Sequence, residues 1–215
     1  MQKTANTLSK NIRAKSVAVL NRHLAAAIDL HAQVKQAHWN VRGPTFIAIH
    51  ELFDKVADAV EGHSDTIAER AGALGGTAEG TVQTAVEHSF LGRYRLGIAD
   101  TEAHIAAVTA ALAAFGESAR NAIDETAAFG DADTSDVFTE ISRGIDQQLW
   151  LVESHRQPQA HCRMPRFAPR RPTRRHPAHA SKSDRPDAGI DRRVHRHILA
   201  DLYWRWGGDS ARCQS

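Results

Sequence analysis

A chain of 215 residues with 42% hydrophobic and 24% charged residues has the make-up of a soluble globular protein, and is long enough for one sizeable core without disulfide staples. Nothing in it reaches the apolar length needed to span a bilayer, and two distant cysteines, Cys162 and Cys213, suit neither a disulfide framework nor a zinc knuckle. The net charge of +2 conceals a division: up to His155 there are 13 Lys and Arg against 20 Asp and Glu, and from Arg156 onward 14 against 5.

Six of the seven prolines also lie beyond that point, so two kinds of sequence are joined end to end. Residues 1–11 read as a flexible basic arm, 12–155 as the folded domain, and 156–215 as an Arg/Pro/His-rich tail without helical period, expected to be disordered. The opening, MQKTANTLSKNIRAK, is polar and has no apolar core, so it is not a secretory signal and the expected location is the cytoplasm.

The first helix is predicted over about residues 11–40, where Val17, Leu20, Leu24, Ile28, His31 and Val34 recur at spacings of three and four. VRGP stops it, because Gly43 permits a turn and Pro44 cannot continue a helix. Thr45 is the expected cap of a second helix that runs to about residue 74, with Phe46, Phe53, Val60 and Ile67 as its buried stripe, and ends at Gly75 and Gly76. The connection TAEGTVQTAVEHSFLGRYRLG is long enough to hold a short helix of its own. A third helix is predicted over about 100–128, with Ile105, Val108, Leu112 and Phe115 inward, and a fourth over about 134–153, with Val137, Ile141, Ile145, Leu149 and Val152 inward. No segment alternates as a strand does. The fold class is therefore all-α: four long helices with one long crossover, the topology of a ferritin-like four-helix bundle.

On the second helix, at about 100° per residue, His50, Asp54, Asp65 and Glu69 fall on one face, flanking the apolar stripe. Imidazole with carboxylates suits iron, manganese or zinc. The eleven residues from Asp54 to Asp65 cover about 16 Å of helix axis, too far for one metal centre. A two-fold mate whose second helix runs antiparallel would bring Asp65 and Glu69 opposite His50 and Asp54, with His38 close enough to join. The competing reading is an acidic, solvated flank: a histidine and an aspartate four apart are common, and Asp58 and Glu61 share that face as outer carboxylates.

The runs KQAHWNVRGPTFIAIHELFD and HSDTIAERAGALGG closely resemble the Dps family, the ferritin-like DNA-protection proteins of starved bacteria, and EISRGIDQQLWLVESH looks like that family's final helix. The resemblance covers about residues 12–155. It implies a two-iron centre shared between subunits, with His38, His50 and Asp54 from one subunit and Asp65 and Glu69 from its two-fold mate. It also implies a homododecameric cage that acts as a ferroxidase, oxidising Fe(II), preferably with hydrogen peroxide, and storing the Fe(III) mineral. Trp39 resembles the family tryptophan beside that centre, a redox-active neighbour that quenches stray oxidant; a plain core or dimer-interface aromatic is the other reading. Asp124, Asp131, Asp133 and Asp136 resemble the lining of the pores through which iron enters, and solvated helix-end aspartates account for them equally well.

Some family members bind DNA through basic extensions. Lys3, Lys10, Arg13 and Lys15 give a modest arm of that kind, which many copies on a cage would strengthen, against the reading of a solubilising start. The tail is either a basic DNA-binding extension or the product of a frame shift, since the resemblance stops at Arg156. A nucleoid-compacting DNA-binding protein with secondary iron activity is thus the alternative function. His23, His31, His63, His88 and His104 are expected to serve packing or surface roles.

Overall fold

The structure is a computed structural model that describes residues 1–156; the expected tail and both cysteines lie outside the described residues. Five helices follow one another: α1 (Lys10–Asn40), α2 (Phe46–Ala73), α3 (Val82–His88), α4 (Thr101–Phe129) and α5 (Ala132–Glu153). The four long ones form the bundle, with α1 packed on α2, α4 on α5, and cross-contacts α1–α4 and α2–α5. The short α3 lies in the α2–α4 crossover and packs against α1. Among the described residues all regular structure is helical, and no helix is long and apolar enough to cross a membrane.

Local chemistry explains the boundaries. The Asp100 and Asp131 carboxylates accept from the backbone N–H of Ala103 and Thr134, capping α4 and α5 at donors that a helix start leaves unpaired. Gly130 ends α4 at φ 85°, a left-handed conformation that a side chain would strain. Thr45 stands where the cap of α2 is predicted but makes no capping hydrogen bond; the helix starts instead from a turn in which Phe46 N–H donates to the Gly43 carbonyl at 3.1 Å.

The core follows the helical stripes: Leu20, Leu30, Phe53, Ile67, Ile105, Leu112, Phe115, Phe138, Ile141 and Ile145 are fully buried. Fully burying one such side chain contributes about 1.5–3 kcal/mol. Phe46 departs from its predicted stripe and remains 37% exposed, because it is the first residue of α2 and lies beyond the end of the core.

Residues 1–9 are not a free arm in the structure. Gln2 N–H donates to the Gly75 carbonyl at 2.6 Å, and α1 already begins at Lys10. Arg13 fastens the same corner, with Nη1 donating to the Leu74 carbonyl at 2.9 Å and Nε to that of Leu8 at 3.2 Å. The segment therefore closes over the end of α2, whose last carbonyls need such donors.

Candidate metal centre

The turn between α1 and α2 brings His38, on the last turn of α1, against His50, on the second turn of α2. Their rings stack with centroids 3.7 Å apart. Nδ1 of His38 lies 2.8 Å from the His50 carbonyl, and Nδ1 of His50 lies 2.9 Å from the His38 carbonyl. A carbonyl only accepts, so each Nδ1 carries the hydrogen and each Nε2 is left with its lone pair. Locking imidazole by a backbone acceptor at one nitrogen is how metal-binding histidines are held in the ligating tautomer. The His38 carbonyl is available for this because it belongs to the last turn of α1.

Asp54, one turn beyond His50, lies beside the pair. Its Oδ1 lies 3.8 Å from Nε2 of His38 and 2.6 Å from Nζ of Lys35, one turn before His38 on α1. The Lys35 hydrogen bond, with the Lys35 charge, holds the Asp54 carboxyl below its ordinary pKa against an opposing effect of burial. The carboxylate is thus ionised and already paired with a cation. Lys35 was absent from the sequence-based set, although its position three residues before His38 puts it on the same helix face.

Asp65 and Glu69 are exposed on the far part of α2 and do not join this group. Among the described residues no set of three or more His, Cys, Asp or Glu is arranged to hold a metal ion within the single chain. What one chain brings together is the stacked His38–His50 pair, with Asp54 Oδ1 3.8 Å from Nε2 of His38. Trp39, next to His38 in sequence, is 67% exposed, and Ile47, on the first turn of α2, is 62% exposed.

Comparison with known proteins identifies the fold. The ferritin-like domain model matches residues 17–158. Over 153 residues the chain is 41% identical to the DNA protection during starvation protein of Agrobacterium fabrum, an alignment covering 71% of this chain and 94% of that one.

The chain belongs to the Dps family of ferritin-like proteins.

Solved Dps structures agree in fold. The tetragonal form of Mycobacterium smegmatis Dps is similar with a TM-score of 0.70 at 27% identity, covering 74% of this chain and 96% of that one. Dps from Microbacterium arborescens in the high iron form is similar with a TM-score of 0.65 at 34% identity, covering 70% and 98%.

Within this Dps chain the four aspartates assigned to a pore separate. Asp124, Asp133 and Asp136 are exposed. Asp131 is only 1% exposed: it caps α5, accepts from Thr134 Oγ1 at 2.7 Å, and pairs with Arg70 Nη2 at 2.8 Å. Burial works against its ionisation, but the hydrogen bonds it accepts and the Arg70 charge outweigh that and lower its pKa. It is a structural carboxylate and leaves the pore set. The basic set divides likewise. Lys3, Lys10 and Lys15 are exposed, Lys15 also lying 5.2 Å from the centre of the Phe129 ring, whereas Arg13 is spent on backbone carbonyls.

Proposed function

We propose that this Dps-family chain is a ferroxidase that oxidises Fe(II) at a two-iron centre shared across a two-fold axis and stores the Fe(III) product inside a homododecamer in the cytoplasm, protecting DNA from oxidative damage. The observation that carries the reading is the reciprocal His38–His50 lock, which holds both Nε2 lone pairs in ligating form beside an ionised Asp54. The name of the Agrobacterium relative, a DNA protection protein, supports the biological role.

Iron is the substrate here. His38, His50 and Asp54 would hold it from one side, and Asp65 and Glu69 of the mate would close the site, because about 16 Å of helix axis separates the two sets within one chain. Hard carboxylates favour the ferric product, while few nitrogen ligands leave positions open for the oxidant. Two ferrous ions side by side supply the two electrons that reduce hydrogen peroxide to water, so no hydroxyl radical need be released. Trp39, next to His38 in sequence and exposed, would be the first aromatic to intercept what escapes. Exposed Asp124, Asp133 and Asp136 are the remaining candidates for drawing iron inward.

Stopped-flow iron oxidation tests the centre. A His50→Ala, Asp54→Ala chain and an Asp65→Ala, Glu69→Ala chain should each lose activity, yet a mixed assembly should recover it. Each mixed dimer keeps one wild-type site, about a quarter of all sites under random pairing. No recovery in verified mixed dimers would place each site within one chain.

The second reading is a DNA-compacting protein with secondary iron activity. It draws on the exposed Lys3 and Lys10 and on the net charge of +9 that the sequence carries from Arg156 onward. Gel retardation across a salt series tests it, and retardation independent of salt would count against electrostatic binding.

A further inference from the structure

Tyr94 and His104 form a pair that the iron chemistry leaves unused. The phenol oxygen lies 2.6 Å from Nδ1 of the imidazole, and the ring planes are within 22° of parallel. Tyr94 is half-buried in the crossover and His104 is fully buried on the first turn of α4. Nε2 of His104 is enclosed without a hydrogen-bond partner of good geometry. The backbone of Ile98 and Asn40 and the carboxylate of Asp100 face the ring and favour a positive charge on it, although burial dominates and keeps it neutral. The phenol is the more acidic of the two groups, so it donates to Nδ1 and the ring hydrogen sits on Nε2. Burial also pushes the Tyr94 phenol up to about 12, so it stays protonated.

The pair backs onto the ligand-bearing turn. Thr101 Oγ1 donates to the Arg42 carbonyl, clamping the start of α4 to that turn. Asn40, which faces His104, follows His38 by two residues, about 3 Å along the helix axis.

Resting on the iron-oxidising reading, we propose that Tyr94 is a redox residue of this site, giving its electron to an oxidant that escapes the iron centre and its proton to Nδ1 of His104. When peroxide meets a single ferrous ion, one electron from the iron, which becomes ferric, breaks the O–O bond and leaves hydroxide and a hydroxyl radical. That radical takes one electron from Tyr94, the phenolic O–H bond breaks, and the proton forms an N–H bond on His104. The products are hydroxide, a neutral tyrosyl radical and an imidazolium ion. A further ferrous ion reduces the tyrosyl radical, becoming ferric, while His104 returns the proton. Trp39 has a different fate, since a proton lost from an exposed indole goes to water. Tyr94 keeps its proton within the protein, which makes the step reversible.

The chain has two tyrosines, Tyr94 and Tyr203, so the radical can be assigned. Iron(II)-loaded full-length protein, treated with hydrogen peroxide and freeze-quenched, should show a tyrosyl signal in electron paramagnetic resonance. Tyr203→Phe should keep it, Tyr94→Phe should lower it several-fold, and His104→Gln should lower its yield and shift its g-values. An undiminished signal in Tyr94→Phe overturns the proposal, as does a His104→Gln signal identical to wild type. Azide radicals generated by pulse radiolysis in iron-free Tyr203→Phe protein separate this from the ferroxidase reading. A tyrosyl radical that forms there, and forms more slowly with His104→Gln, supports the pair even if wild type oxidises no iron. Its absence overturns the pair even if iron is oxidised.

Discussion

Lys35 places its ammonium 2.6 Å from Oδ1 of Asp54, the same oxygen that Nε2 of His38 approaches at 3.8 Å. A metal ion binding this group would have to compete with an internal cation for that carboxylate and enter against its charge. Lys35→Met keeps most of the apolar stem and removes the charge. Isothermal calorimetry with a redox-inert divalent ion such as Zn(II) should show binding tightened a few-fold in this variant. Unchanged or weaker affinity would mean that Lys35 plays no part in the metal equilibrium.

The Arg70–Asp131 pair joins the end of α2 to the start of α5, with Asp131 1% exposed and Arg70 15%. Removing one partner of a buried pair leaves the other charge uncompensated, and here the α5 cap is weakened as well. Asp131→Ala should cost about 3 kcal/mol or more, read as a fall in Tm of roughly 10 °C. Asp133→Ala, on an exposed carboxylate 3.7 Å from Arg70, should change Tm little. Equal effects of the two would contradict the division drawn between them.

His23 is fully buried among Phe90, Phe115 and Phe138. Its Nδ1–H donates to the Val19 carbonyl at 2.8 Å, and its Nε2 lies 3.0 Å from Ser118 Oγ. Burial, aided by Arg22, lowers its pKa despite those bonds and Glu125. His63 and His104 are lowered too, each chiefly by burial. The folded state thus resists a proton that the unfolded chain accepts near about pH 6.5. Stability should be fully present above that pH and fall as the pH is lowered through it. Thermal melts of iron-free protein should show a flat Tm at neutral pH and a decline on acidification, with a shallower decline in His23→Leu. A Tm that rises on acidification would contradict the sign.

Gly76 follows the end of α2 where α1 passes close by. A Cβ there would come within 2.6 Å of both Val17 methyl carbons and 2.9 Å of the Ala71 carbonyl oxygen. Val17 is in the core and β-branched, so it has little room to turn aside. Gly76→Ala should cost about 1–3 kcal/mol by chemical denaturation, whereas Gly62→Ala, with nothing within 4 Å, should be neutral or stabilising. A silent Gly76→Ala would show that the corner can open.

Helices were legible because their signals are local. Periodicity set α1, α2, α4 and α5 to within a few residues, and Gly43, Pro44, Gly75 and Gly76 marked the ends of the first two. The helix α3 was foreseen only as room in a long connection, since seven residues carry too little periodicity to place it. Rise per residue was enough to argue that Asp54 and Asp65 cannot share a centre within one chain.

Roles that depend on which atoms meet across the bundle were not legible. Asp131 and Asp133 stand two apart with the same side chain, yet one is a buried cap and the other is exposed, because only the packing of α2 against α5 decides which of them meets Arg70 most closely. Arg13 and Lys3 read alike as arm cations, but Arg13 lies against the end of α2 and is consumed there. The tautomers of His38 and His50 and the cation beside Asp54 likewise come from contacts between helices. Pattern along the chain settled which residues are helical and which faces are apolar. Long-range packing settled which charges are spent on holding the fold and which are left for chemistry.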